Sequence, residues 1–277
     1  MKILLTGASS YVGSRLFFDL FTKYQIIGTY NENKLSNSFI KLDITNPQEV
    51  KKIVTKINPS VIIHAAANAN ARWCEANPEK AVAINQNSTE YLVKNANLIG
   101  AKVILISSFA AIDPTNVYGK TKLASEEIVR EAKNGYIILR PSLIIGFSPN
   151  TINDRPFNRI LTNIYKKTEP VYDTSWKFQP TYLRHISEVI ETVLNQNITN
   201  ELIPIAVKEL KSRYDIAKDI LKPFGIEAIS EDKRDTSPVT TDNLDTLQKL
   251  SLPQYSYNII IENIINEIHQ RRKYILK

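Results

Sequence analysis

Tyr118 and Lys122 stand four positions apart, with Ser108 a short way upstream. Residues at i and i+4 share one face of a helix, so a phenol and an ammonium at this spacing can enter one pocket. A cation beside a phenol favours the phenolate and draws its pKa down from about 10 toward neutrality. A serine hydroxyl at a strand end could hold a carbonyl oxygen against that phenol. Such a set can move a proton to or from an alcohol or a ketone. The same spacing also suits an amphipathic helix with tyrosine in the core and lysine outside. The context favours chemistry: a strand ending Ser107-Ser108 precedes the pair, and one ending Leu139-Arg140-Pro141-Ser142 follows it.

A second group of residues opens the chain. Gly7-Ala8-Ser9-Ser10-Tyr11-Val12-Gly13 lies between a strand and a helix, the setting of a dinucleotide-binding turn. Gly7 permits the tight turn, the helix N-terminus can take a pyrophosphate, and Gly13 lets the helix sit close to the sheet. Ser10 stands where the middle glycine is usual, which keeps the backbone donors and narrows the approach. The next strand ends Gly28-Thr29-Tyr30-Asn31, where an NAD-selective protein carries an acid for the ribose 2′-hydroxyl. Tyr30 and Asn31 occupy that place and Lys34 follows, so NADP(H) is favoured over NAD(H), although Glu32 is close by. Asp43, before Ile44, either accepts from an adenine amino group or closes an Asx-turn ahead of Pro47. His64-Ala65-Ala66-Ala67 ends a further strand, its small residues letting a cofactor lie on backbone. His64 reads as a structural histidine rather than a base. No His/Cys spacing suggests a metal.

These residues need a scaffold, and the apolar pattern supplies one. Strands are expected at 3–5, 25–30, just before Asp43, 61–64, 102–107 and 136–139, alternating with helices at 14–21, from Pro47 behind an Asn46 cap, at 78–96, and from Tyr118 to about Lys133. That alternation predicts an α/β fold, a doubly wound parallel sheet covered on both faces. The division is expected at 1–146 for the cofactor domain and 147–277 for a smaller mixed α/β region. Segments near 181–194 are expected to rejoin the first.

Composition sets outer bounds. The 277 residues are 43% hydrophobic, enough for a sizeable core. A net charge of +7 is scattered, apart from Arg271-Arg272-Lys273, and argues for no nucleic-acid surface, though it can draw in a phosphorylated substrate. Cys74 stands alone, so no intrachain disulfide forms. The N-terminal apolar stretch is too short for a signal peptide, and no run reaches the eighteen or so residues of a membrane span. A soluble cytoplasmic protein is expected. The helices near 78–96 and 121–133 could pair two copies across a two-fold axis.

The combination resembles the extended short-chain dehydrogenase/reductase superfamily, and within it the dTDP-4-dehydrorhamnose reductase group. TGASSYVG, LDITNP, VIIHAAA, EKAVAINQNSTEYLVKNA, ILISS, NVYGKTKLASE and ILRPSLIIG carry the likeness, with Gln179-Pro180-Thr181-Tyr182 and Ser212-Arg213-Tyr214-Asp215-Ile216-Ala217 in the second half. The resemblance implies that Ser108 binds the substrate carbonyl, Tyr118 donates the proton, and Lys122 tunes Tyr118 and holds the nicotinamide ribose. It implies that Gly7, Ser9, Ser10, Tyr11 and Val12 line the pyrophosphate, Asp43 and Ile44 flank adenine, and Ala65, Ala66 and Ala67 pass under ribose and phosphates. Ser142, Trp176, Phe178 and Arg184 are the expected substrate contacts. The chain departs from the group in two places. Only residues 109–117 separate Ser108 from Tyr118, so a stretch that contacts the sugar nucleotide is missing. His185 stands where many relatives have Asp.

The expected function is an NADP(H)-dependent reductase of a nucleotide-linked keto sugar, of the 4-keto-6-deoxy type. An epimerase or dehydratase on the same scaffold is the first alternative, and the Phe109-Ala110 that follows Ser108 lacks the acids a dehydratase adds there. A cofactor-binding regulatory subunit, like the one that partners methionine adenosyltransferase, is the second. The complete Ser/Tyr/Lys set tells against it.

Overall fold

Short apolar runs become strands because both faces of the sheet are covered. The computed structural model describes residues 1–274; the side chain of Arg272, in the basic cluster at 271–273, lies outside the described residues. The chain runs through β1 (Lys2–Thr6), α1 (Tyr11–Leu20), β2 (Gln25–Tyr30), β3 (Ile40–Lys41), α2 (Pro47–Ile57) and β4 (Val61–His64). It continues through α3 (Ala71–Ala76), α4 (Pro78–Ala81), a π-helical turn Val82–Asn87, α5 (Ser88–Ile99), β5 (Lys102–Ile106), α6 (Val117–Val129) and β6 (Tyr136–Pro141). The strands order as β6-β5-β4-β1-β2-β3, with Glu201–Ile205 added outside β6 as a seventh. Every pairing is parallel.

Alternate residues of each strand serve opposite layers. Ile3, Leu5, Ile63, Ile104 and Leu139 enter one buried cluster, while Leu4, Ile62, Val103, Leu105 and Ile138 enter the other. That is why the strands read as continuous apolar runs rather than alternating ones. The order reverses between β1 and β4, so a crevice opens at their carboxyl ends.

The second half is stitched to this sheet. Leu183–Asn195 packs on α1, and Glu201–Ile205 extends the sheet itself. Small two-stranded pairs join 144–145 with 181–182 and 177–178 with 211–212, and Ile144, Trp176 and Arg213 in or beside them reach the crevice. The helix expected at 78–96 is broken by the π-helical turn, which aims Asn85 inward: its side chain accepts from the Asn68 N–H at 2.8 Å and donates to the Thr121 hydroxyl at 3.1 Å. α6 stops at Val129, short of the expected 133. Among the described residues no helix is long and apolar enough to cross a membrane.

Candidate active site

The turn after β1 is built for close approach. Gly7 has φ +70°, and a Cβ there would lie 2.7 Å from Ala66 Cα; a Cβ on Gly13 would lie 2.1 Å from the Gly7 carbonyl oxygen. Neither position admits a side chain, so α1 begins directly against the ends of β1 and β4. Ser10 caps α1, its hydroxyl accepting from the Gly13 N–H at 3.0 Å. The first turn carries no acid, and its Tyr11 and Val12 N–H groups are left for an outside acceptor. These features fit a dinucleotide pyrophosphate. Ser9 is turned aside: its hydroxyl accepts from the Leu35 N–H, and its carbonyl accepts from Asn150 Nδ2 at 2.6 Å.

Ser108, Tyr118 and Lys122 meet in a cleft of about 570 Å³ at the carboxyl ends of β1, β4, β5 and β6. Ser108 ends β5's run and caps a short 3-10 turn, Phe109–Ala111, accepting from the Ala110 N–H at 3.1 Å. Asn116 caps α6, so Tyr118 and Lys122 fall in its first two turns. Lys122, 3% exposed, donates to the Ile106 carbonyl at 2.7 Å. Burial pulls its pKa down to about 8, against the opposing charge of Glu126. The expected drop in the Tyr118 pKa is reversed. Burial raises it, and the Ser108 hydrogen bond and the Arg155 charge offset only part of that rise. The shift favours the protonated phenol. His64 is a satisfied core residue: its Nδ1 lies 2.8 Å from the Thr6 hydroxyl, and burial takes its pKa down to about 3.

Of the other expected residues, Ser10, Tyr11, Val12, Ala65, Ala67, Ser142 and Trp176 line the cleft. Gly7, Ser9 and Ala66 sit behind it. Tyr30, Asn31, Asp43 and Ile44 lie off to the β2–β3 side, with the Lys34 ammonium 6.0 Å from the centre of the Tyr30 ring. Asp43 does close an Asx-turn, accepting from the Thr45 N–H and hydroxyl, and Ile44 is buried. Two expected substrate contacts do not reach the cleft. Phe178 is fully buried beneath Trp176, ring centres 5.0 Å apart. Arg184 is half-exposed on the helix Leu183–Asn195 and paired with Glu188 at 2.9 Å. In their place the fold brings Arg155, Arg213, Asp235 and Pro238. The Arg213 guanidinium lies over the Trp176 ring at 5.2 Å, and the Trp176 indole donates to the Pro238 carbonyl. Arg213 sits in the SRYD segment quoted above, the only one of the four with a sequence signal.

The family model for the RmlD substrate binding domain matches residues 1–257. The chain belongs to that family. It is 32% identical over 164 residues to dTDP-4-dehydrorhamnose reductase of Salmonella typhimurium, a stretch covering 54% of each chain. It thus spans about half the length of the reductase relatives it matches. It is also 25% identical over 203 residues to the methionine adenosyltransferase 2 subunit beta of Xenopus tropicalis, covering 68% of this chain and 60% of that one. Among solved structures, dTDP-4-dehydrorhamnose reductase from Bacillus anthracis in complex with NADP superposes with a TM-score of 0.82 at 22% identity, covering 96% of this chain and 99% of that one. UDP-glucose 4-epimerase from Thermotoga maritima gives the same TM-score at 18% identity, covering 98% and 100%. These two likenesses establish the fold.

In this member of the RmlD family, Gly119 fixes how near Tyr118 comes to Ser108. A Cβ on Gly119 would lie 2.2 Å from the Ala110 carbonyl oxygen and 2.9 Å from Pro114 Cβ. Gly119→Ala must push α6 off the 109–111 turn that Ser108 caps. The expected loss in kcat is about 10²-fold, because a shift of an ångström costs that much in alignment. Steady-state kinetics beside a thermal melt check it; unchanged kcat would show that the contact does not set the geometry.

Proposed function

We propose that this chain is an NADP(H)-dependent reductase of a nucleotide-linked keto sugar, of the 4-keto-6-deoxy class, acting in the cytoplasm. The observation that carries the reading is one cleft in which Ser108, Tyr118 and Lys122 face the glycine turn after β1. The similarity to dTDP-4-dehydrorhamnose reductases supports the substrate class. In this reading the β-sheet half holds the cofactor and much of 147–277 walls the substrate.

NADPH, when bound, supplies the hydride. The chain's residues do the rest. Tyr11 and Val12 N–H groups hold the pyrophosphate, Ala65 and Ala67 form the floor, and Lys122 holds the nicotinamide ribose. The Ser108 hydroxyl orients the keto oxygen. Tyr118 gives that oxygen its proton, and burial favours the protonated phenol beforehand. Arg155 and Arg213 face the charged part of the substrate, where a planar fork suits a diphosphate.

Lys34 beside Tyr30, with no acid in the ribose position, supports NADP(H). Lys34→Glu is expected to weaken NADPH binding about tenfold or more and to leave NADH nearly unchanged. Equal losses for both cofactors would remove Lys34 from the 2′-phosphate.

The test of the whole reading is a fluorescence titration with NADPH and NADH, followed by a panel of 4-keto-6-deoxy nucleotide sugars. NADPH oxidation with one of them is the expected result. Tight cofactor binding with no turnover across the panel would overturn it in favour of a binding subunit.

A further inference from the structure

Tyr118, Lys122 and Glu126 recur at four-residue spacing, so all three lie along one face of α6. Glu126 is completely buried. Its Oε1 accepts from the Ser107 hydroxyl and from Arg140 Nε at 2.9 Å, and its Oε2 accepts from Arg140 Nη2 at 2.5 Å. Arg140 reaches on to Asp242 Oδ2 at 3.8 Å. Ser107 lies between two site residues. Ile106 gives its carbonyl to Lys122, and Ser108 carries the substrate-facing hydroxyl. A carboxylate bound to Ser107 therefore anchors residues 106–108 to the helix that carries Tyr118 and Lys122.

We propose that Glu126 is a positioning residue for this site: it ties the end of β5 to α6 and places a buried negative charge one turn behind the Lys122 ammonium. The proposal rests on the reductase reading for its kinetic consequence and on geometry alone for its structural one. The groups that face Lys122 are few. Tyr118 and Glu126 are on α6, and neutral His64 comes from β4. Arg140 on β6 acts through Glu126, with Asp242 behind it, and the cleft adds Arg155. Burial alone would drive Lys122 toward the free amine, and Glu126 is the group that opposes this. Arg140 takes up part of the carboxylate's charge through two hydrogen bonds. A lysine is cationic below its pKa. If the site needs the ammonium, activity is lost as pH rises through that value, and removing Glu126 moves the loss to lower pH.

The experiment compares wild type, Glu126→Gln and Glu126→Asp in the full chain. Lys122 Nζ is titrated by NMR with 15N-labelled lysine, without substrate, and kcat is measured against pH. In Glu126→Gln the Lys122 titration is expected to fall by about one unit or more from its value near 8, and the alkaline limb of kcat to move the same way. Glu126→Asp keeps the charge but withdraws it by one methylene, and its shift is expected between the two. A role confined to packing would lower stability and move neither curve. Curves unmoved in Glu126→Gln, or in Glu126→Asp if the first variant does not fold, overturn the proposal. Absence of turnover in wild type overturns the reductase reading instead, and the NMR titration still decides the place of Glu126.

Discussion

Tyr118→Phe is expected to lower kcat by about 10³-fold while leaving NADPH affinity unchanged. The substitution removes one oxygen and keeps the ring that fills its place between α3 and the 109–111 turn. It removes the Ser108 hydrogen bond to the phenol, but the Ser108 hydroxyl still accepts from the Ala110 N–H, which holds it in place. Lys122 is held by the Ile106 carbonyl rather than by the phenol, so its place in the cleft survives. What disappears, in the proposed mechanism, is the hydroxyl that gives the keto oxygen its proton. Burial raises the pKa of that phenol in the wild type and so favours its protonated form. NADPH titration and single-turnover absorbance on the same preparation separate binding from chemistry. Undiminished turnover would remove Tyr118 from the mechanism, whatever its place in the cleft.

The parts of this site that sequence made legible are those where a local rule and a chemical need coincide. Gly7 and Gly13 are glycines because backbone stands within 3 Å of where their Cβ atoms would be, and they flank a turn any dinucleotide requires. Tyr118 and Lys122 share a helix face by spacing alone. β1, β4 and β5 announce themselves because both sides of each are buried, so their central residues are all apolar. Legibility ends where long-range packing decides. The sign of the Tyr118 shift depends on how deeply α6 is buried, which no local pattern encodes. Arg155, Asp235 and Pro238 reach the cleft from segments far apart in the chain, without periodicity to mark them. Phe178 and Arg184 looked equally suitable by residue type. One is a core ring under Trp176, and the other is spent on Glu188 in its own helix. The π-helical turn at Val82–Asn87 is invisible in an otherwise helical stretch, yet it aims Asn85 at α6.

A buried charge cluster sits just behind the phosphate turn, and breaking it should produce the largest loss of stability in the chain. Arg15 on α1 is 1% exposed, and Glu267, from the helix Tyr257–His269, is 5% exposed. Arg15 Nη2 donates to Glu267 at 2.6 Å, Nε donates to Asp19 on α1, and Nη1 donates to the Phe147 carbonyl. Glu267 also accepts from the Tyr182 hydroxyl at 2.7 Å and the Phe147 N–H at 3.1 Å. One carboxylate thus joins α1, the segment after β6 and the last long helix. Glu267→Ala leaves a buried guanidinium with a single carboxylate, and a hydroxyl and an N–H with no acceptor. The expected cost is about 3–5 kcal/mol, a large share of the roughly 5–15 kcal/mol that holds a domain folded. A melting point lower by on the order of 10 °C follows for a chain of this size. The loss comes from stranded polar groups rather than from attraction in the pair itself, which sets a further condition. Arg15→Met combined with Asp19→Asn and Glu267→Leu should be more stable than Glu267→Ala, since the triple change removes all three charges together. Because α1 also carries the Tyr11 and Val12 N–H groups, the single variant should regain stability on adding NADPH, by linkage between binding and folding. A Glu267→Ala melt within a degree or two of wild type would mean that the Glu267 carboxylate does not hold α1 in place.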